Sequence, residues 1–223
     1  MDFILYVIDI FINLDIYLGD IIQKFGLWTY LILFMIIFAE TGFVVTPFLP
    51  GDSLLFVAGT FAALGALDVK ILYFLLLGAA IIGDTVNYHI GQYIGPKVFS
   101  KEMRFLNKKN LLKTQSFYER HGGKTIIIAR FIPIIRTFAP FVAGVGSMSY
   151  LRFLFFNVTG AFIWVTVALL GGYFFGNLPF VRDNFTIVIF AIIGTSLIPP
   201  VYAYLKRQWE IRTGKGTAGN ETN

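Results

Sequence analysis

The sequence predicts an all-α polytopic membrane protein, an inverted repeat in which two re-entrant helical hairpins meet among spanning helices. First, 57% of the 223 residues are hydrophobic and 14% charged, at mean hydropathy +0.73, whereas a soluble domain carries about 25% charged residues. Second, apolar runs at 71–82, 153–175 and 185–204 approach or reach the roughly 20 residues a helix needs to cross a ~30 Å hydrocarbon core. Third, two further apolar stretches are broken by prolines and charges that a straight span would not tolerate.

One membrane domain is expected over 1–212. It comprises a first repeat at 28–95, a basic loop at 97–124, a second repeat at 125–176 and a last spanning helix at 185–205; a disordered cytoplasmic tail follows at 213–223. No length is left for a separate soluble enzyme domain. Cysteine is absent, so thiol chemistry and disulfides are excluded. The first twenty residues lack a basic n-region and a small-residue cleavage site and are read as retained. Asp2, Asp9, Asn13 and Asp20 share one stripe of a helical wheel, which suits an amphipathic helix anchored at the interface.

Residues 97–124 hold eight Lys and Arg against Glu102 and Glu119, and the tail repeats the bias. Both are therefore expected on the cytoplasmic side. An even number of crossings must separate them, yet three apolar stretches intervene, at 125–149, 153–175 and 185–204. The first contains Arg130, Pro133, Arg136 and Pro140 and is the one expected to dip in and return, with its turn at Pro133, Pro140 and Gly144. Glu40, Pro47, Pro50, Gly51 and Asp52 interrupt 31–67 in the same way, giving a first hairpin whose turn lies at Pro47, Pro50 and Gly51. Irregular backbone at membrane depth must be buried in protein or line a wet cavity, so the two hairpins are expected to meet inside the molecule.

A weak internal repeat agrees with this plan. Ala58-Gly59, Gly78-Ala79, Gly91 and Gly95 recur as Ala143-Gly144, Gly160-Ala161, Gly172 and Gly176, at offsets drifting from 85 to 81. One spanning helix between the first hairpin and the basic loop would make the hairpins enter from opposite sides, as in many secondary transporters with a site at the repeat interface.

Glu40 and Asp52 on the first hairpin and Arg130 and Arg136 on the second are expected to face one another, since either charge set alone could not be buried. Arginine presents a fixed fork of donors matched to phosphate oxygens, and a carboxylate beside it is a protonatable partner. A structural salt bridge pinning the hairpins is the plainer alternative. Asp84, with Asn87 near it on the helix wheel, either faces the same cavity or lies near a membrane surface. Asn157 and Trp164 read as packing and helix–helix hydrogen bonding. The basic loop interleaves its charges with aromatic and aliphatic residues, a pattern for binding anionic lipid or for an ordinary cytoplasmic loop. Nucleic acid is not an expected partner, and no metal or other cofactor is expected. Self-association is left open. A lipid phosphatase would need paired histidines, and the only two are His89 and His121, without a serine and arginine signature around them. The chain is accordingly not read as an enzyme.

Four stretches resemble the DedA family of bacterial inner-membrane proteins, also called SNARE-associated or VTT-domain proteins: Phe38-Ala-Glu40 through Pro47-Phe-Leu-Pro50-Gly51-Asp52; Gly83-Asp84-x-x-Asn-Tyr88-x-x-Gly91; Phe117-Tyr-Glu-Arg-His-Gly122; and Ala129-Arg130-Phe-Ile-Pro133-Ile-Ile-Arg136 through Pro140 to Gly144. The resemblance spans essentially residues 4–204. It implies a multi-pass inner-membrane carrier, dependent on the proton motive force, that returns undecaprenyl phosphate to the cytoplasmic leaflet. Glu40 and Asp52 would be the acidic pair and Arg130 and Arg136 the essential arginines. Related eukaryotic proteins scramble phospholipids, so an energy-independent scramblase, or an indirect role in envelope integrity, is the alternative expectation.

Overall fold

The structure, a computed structural model, describes residues 13–43, 51–100, 123–146 and 148–183, together with residues 187 and 191. Every regular element among them is a helix. The polarity is that of a protein dissolved in lipid. Leu27, Phe74, Leu151 and Phe180 are at least 70% exposed, while Glu40, Asp84, Arg130, Arg136 and Asn157 are at most 4% exposed. Water would impose the opposite arrangement.

Helix α1 (Leu14–Phe25) buries Leu14 and Leu18 and leaves Asp20 exposed. Asp2 and Asp9, the remainder of the expected acidic stripe, lie outside the described residues. The helix stops at Gly26, whose φ of 51° suits a residue without Cβ, and the chain turns into α2 (Trp28–Gly42). On α2, Thr29, Leu33, Ile37, Glu40 and Thr41 are buried, three or four residues apart or adjacent, which is one helical face. Helix α3 (Gly51–Ala63) carries Asp52 in its first turn. At 15 and 13 residues, α2 and α3 reach only about 22 and 20 Å at 1.5 Å per residue.

Gly65, with φ of 79°, ends this half-layer. The Asp68 carboxylate then accepts the amides of Lys70 (2.8 Å) and Ile71 (3.0 Å) and starts α4 (Val69–Ser100). Within α4, Val69–Ile94 is apolar and 26 residues long, about 39 Å, enough to cross a bilayer. The helix continues past the expected loop start and takes in Lys97; residues 101–122 of the basic loop lie outside the described residues. After α5 (Lys124–Ala129) comes α6 (Pro133–Val145), then α7 (Tyr150–Phe175), the second helix long and apolar enough to cross, and the short α8 (Pro179–Asp183). Thr166–Leu170 widens α7 into a π-turn. The expected last span at 185–205 and the tail fall outside the described residues apart from residues 187 and 191.

The hairpin turn of the second half needs correcting. Its break is the tight turn at residues 130–132, where Ile132 N–H donates to the Ala129 carbonyl (3.0 Å). Pro133 opens α6, where its missing N–H breaks no helical bond. Pro140 and Gly144 lie inside α6, where Pro140 offers no donor to the carbonyl of Arg136 four residues back. Gly51 does sit at the start of α3, whereas Pro47 and Pro50 are outside the described residues.

Gly144 has a different task, that of close approach. A Cβ on it would lie 2.0 Å from the Tyr88 carbonyl oxygen and 2.8 Å from the Gln92 amide of α4. Gly59 of α3 meets α7 likewise, 2.0 Å from the Leu169 carbonyl oxygen and 2.9 Å from the Tyr173 amide. The facing glycines complete each crossing: Gly91 against the Phe141 carbonyl at 2.1 Å and Gly172 against that of Phe56 at 1.9 Å. Gly59 with Gly144, Gly91 with Gly172, and their backbone partners are all related by the 85 and 81 offsets of the sequence repeat. Apolar packing between helices has little hydrophobic drive in lipid, so close backbone contact at small residues takes its place.

Replacing Gly59 or Gly144 by Val should therefore lower stability in detergent by about 1–3 kcal/mol through overpacking. Gly78→Ala, with nothing within 4 Å of the added methyl, should not destabilise the protein. Thermal unfolding followed by circular dichroism checks this; equal midpoints for Gly144→Val and Gly78→Ala would contradict the crossing.

Candidate functional site

The broken ends of the two halves converge against the middles of α4 and α7. The last turn of α2 supplies Glu40, the first turn of α3 Asp52, and the first turn of α6 Arg136. The Arg136 guanidinium lies between the two carboxylates, with Nη1 3.2 Å from Asp52 Oδ1 and Nη2 3.3 Å from Glu40 Oε1. Glu40 Oε1 also accepts the Gly51 amide at 3.3 Å, so the carboxylate rests on the positive end of α3. A Cβ on Gly51 would lie 1.9 Å from Glu40 Oε2, so a side chain there would displace this carboxylate. Above the arginine stands Trp164 of α7, its ring centroid 4.0 Å from Arg136 Cζ, within cation–π range. Its indole N–H donates to the same Asp52 Oδ1 at 2.6 Å.

Arg130 forms a second centre. From the turn after α5 it extends past Gly160 of α7, where a Cβ would stand 3.0 Å from Arg130 Cδ, and its Nη2 donates to both Asp84 and Asn157. Asn157 in turn donates to the Ile81 carbonyl (3.1 Å) and to Thr85 Oγ1 (3.4 Å) of α4, so one amide bolts α7, α4 and the arginine together. A second amide joins the halves: Asn87 of α4 donates to the carbonyls of Thr41 in α2 (3.2 Å) and Thr137 in α6 (2.7 Å). Thr41 lies in the last turn of α2, where carbonyls lack intrahelical donors and accept from elsewhere.

The donors are not saturated. Among the described residues, Nε of Arg136 and Nε and Nη1 of Arg130 find no hydrogen-bond acceptor although buried, while Nη2 of Arg136 is held only by its ion pair with Glu40. Buried charged donors normally find acceptors, so the site has spare capacity to bind an anion. Among the described residues no group of three His, Asp or Glu could hold a metal ion. His89 is exposed, beside Gln92 and Tyr150, and His121 lies outside the described residues.

Glu40, Asp52 and Arg136 thus come together as the charge pattern leads one to expect, whereas Arg130 turns to Asp84 rather than to the first hairpin. Asp84 is buried at this centre, paired with Arg130. Asn157 does make helix–helix hydrogen bonds, but also contacts the arginine. Trp164, read from the sequence as packing and helix–helix hydrogen bonding, instead contacts Arg136 and Asp52. A single indole on an apolar helix carries no signal of its partner; only its place on the buried Phe153, Asn157, Gly160, Ala161, Trp164 face could have pointed to the arginines.

Comparison with known proteins places these residues in a family setting. The model of the VTT domain matches residues 49–174, more than half of the chain. Protein DedA of Escherichia coli strain K12 is 51% identical over 211 residues, 93% of this chain and 96% of that protein. An uncharacterized membrane protein of Mycobacterium leprae strain TN is 43% identical over 170 residues, 76% of each chain. Inner membrane protein YqjA of Escherichia coli strain K12 is 34% identical over 151 residues, 67% of this chain and 69% of that one. No solved structure matches.

The two centres generate a stability test. Asp84→Leu strands a buried guanidinium and should cost about 3–5 kcal/mol, and Arg130→Met should be similarly harmful, while the double variant removes both charges and should recover most of the loss. Unfolding midpoints in detergent measure it. Simple addition of the two losses would mean that Arg130 and Asp84 do not support each other.

Proposed function

This chain belongs to the VTT-domain, or DedA, family of membrane proteins, and from that premise we propose that it is a proton-coupled carrier of a phosphate-bearing lipid, undecaprenyl phosphate. The observation that carries the proposal is a buried arginine, Arg136, held between two carboxylates where broken helices meet. A buried cation with unspent donors suits a phosphate oxygen, and carboxylates that already occupy that cation give the proton a direct hold on lipid binding.

On this reading α2 with α3, and α5 with α6, are re-entrant hairpins of an inverted repeat. Their arms are too short for a ~30 Å core, and their glycine crossings on α7 and α4 repeat the same offsets. The basic segment 97–124 and the C-terminus face the cytoplasm of a bacterial inner membrane, where the segment attracts anionic lipids. Arg136, with Arg130 nearby, binds the phosphate while the polyprenyl chain stays in hydrocarbon. Protonation of Glu40 or Asp52 discharges a competitor for Arg136, so proton and lipid bind with positive coupling. Asp84 compensates Arg130 and is the third protonatable group. The proton gradient supplies direction, each charge moved being worth about 2.3 kcal/mol per 100 mV. No catalytic step is assigned to any residue.

The test is transbilayer movement of labelled undecaprenyl phosphate in proteoliposomes with and without an imposed pH gradient. Accumulation driven by the gradient is expected for the wild type and should be lost in Glu40→Gln and Arg136→Ala. Equilibration indifferent to the gradient would replace the carrier by a scramblase. Normal transport by a folded Arg136→Ala protein would remove the phosphate site from Arg136.

A further inference from the structure

Two donors from different helices converge on a single oxygen atom. Arg136 Nη1 of α6 lies 3.2 Å from Asp52 Oδ1 and Trp164 Nε1 of α7 lies 2.6 Å from it. The indole ring at the same time covers one face of the guanidinium, 4.0 Å from Cζ to centroid. A guanidinium N–H and an indole N–H aimed at one point make a small oxyanion subsite, because both are donors only and neither can serve a neutral acceptorless group. The oxygen now in that subsite belongs to the protein.

We propose that Trp164 is a positioning residue and the second donor of the phosphate subsite, and that the Asp52 carboxylate is an internal stand-in for the lipid phosphate, seated on Arg136 Nη1 and Trp164 Nε1 until a phosphate oxygen replaces it. This deepens the carrier reading and rests on it for the identity of the lipid, though not for the existence of the anion subsite. The stacked ring fixes the guanidinium plane, so the fork keeps its aim when the acceptor changes. The indole N–H follows the acceptor: it bonds the carboxylate in the empty site and the phosphate in the loaded one. Gly160 lies one helical turn earlier on the same buried face of α7, which ties the indole's position to the helix that also carries Asn157 to Arg130.

The chain has three tryptophans; Trp28 is exposed and apart from the site, and Trp209 lies outside the described residues. Trp28→Phe with Trp209→Phe leaves Trp164 as the sole tryptophan emitter. Its emission and lipid transport are read in the same proteoliposomes while undecaprenyl phosphate is titrated in, with undecaprenol as the control lacking phosphate. A saturable emission change with the phosphate, absent with the alcohol and absent in Arg136→Ala, is expected. In the chain carrying all its other tryptophans, Trp164→Phe keeps a stacking ring and loses the N–H; it should raise the half-saturating lipid concentration about tenfold, as loss of one hydrogen bond to a charged group does, with maximal rate little changed. Trp164→Leu, which also loses the stack, should lower the maximal rate too.

Transport that saturates without any change in Trp164 emission would overturn the inference and leave the carrier standing. An emission change without transport would uphold the subsite and remove the carrier reading. Unaltered half-saturation in Trp164→Phe would overturn the donor role, and silence in both channels would overturn both.

Discussion

The rest of the molecule is arranged around one constraint, the burial of the Arg136 guanidinium inside a membrane protein. A lone guanidinium there is costly, by a few kcal/mol or more, so acids must come to it. They arrive from two directions, Glu40 at the end of α2 and Asp52 at the start of α3. That geometry requires the first half to be broken between the two carboxylates, because one continuous helix could not present positions 40 and 52 to the same point: twelve residues would separate them by about 18 Å. Gly51 leaves room for the Glu40 carboxylate at this break, since a side chain there would push it aside. The irregular backbone in this half follows from the charge rather than accompanying it.

Holding two short arms in place then falls to the long helices. Arms of 13 residues cannot be stable on propensity alone, and lipid supplies no hydrophobic force to press them on. Backbone contact at Gly59 with Gly172, and at Gly144 with Gly91, does so instead, reinforced by the amides of Asn87 and Asn157 that donate into carbonyls of neighbouring elements. Thr60 adds its hydroxyl to the Gly172 carbonyl at 3.3 Å in the same crossing.

Legibility from sequence follows from this physics. The membrane environment, the two breaks and the charged residues at stake were all readable, because charges and prolines inside apolar runs stand out against their surroundings. The glycine repeat was readable as a pattern, yet Gly144 was assigned to a turn when it marks a crossing; sequence spacing reveals that a small residue recurs, and only the neighbouring backbone reveals why. Which acid meets which arginine was not readable. Helix rotation decides it, and the tight turn at residues 130–132 sends Arg130 toward α4 and α7, away from the first hairpin. What Trp164 contacts was invisible for a related reason: its role lies wholly in what it faces across 112 residues of chain.

The division into two centres bears on how a proton could be coupled to a lipid. Arg130 has one carboxylate, Asp84, and a neutral amide, and that centre is balanced as it stands. Arg136 has two carboxylates, so with both ionised its centre carries one surplus negative charge in a low-dielectric interior. A lipid monophosphate brings a further charge of about −1.5 to −2, as phosphomonoesters do near neutral pH. Entry of the phosphate with both carboxylates ionised would place three anionic groups around one guanidinium, and the electrostatic energy of like charges at a few ångströms opposes that strongly. Protons on Glu40 and Asp52 would remove two of those negative charges. On the carrier reading proposed above, two acids around one arginine would thus favour lipid and proton entering together, whereas a centre with one acid per arginine, like that of Arg130, would give no such coupling until its own pair was broken.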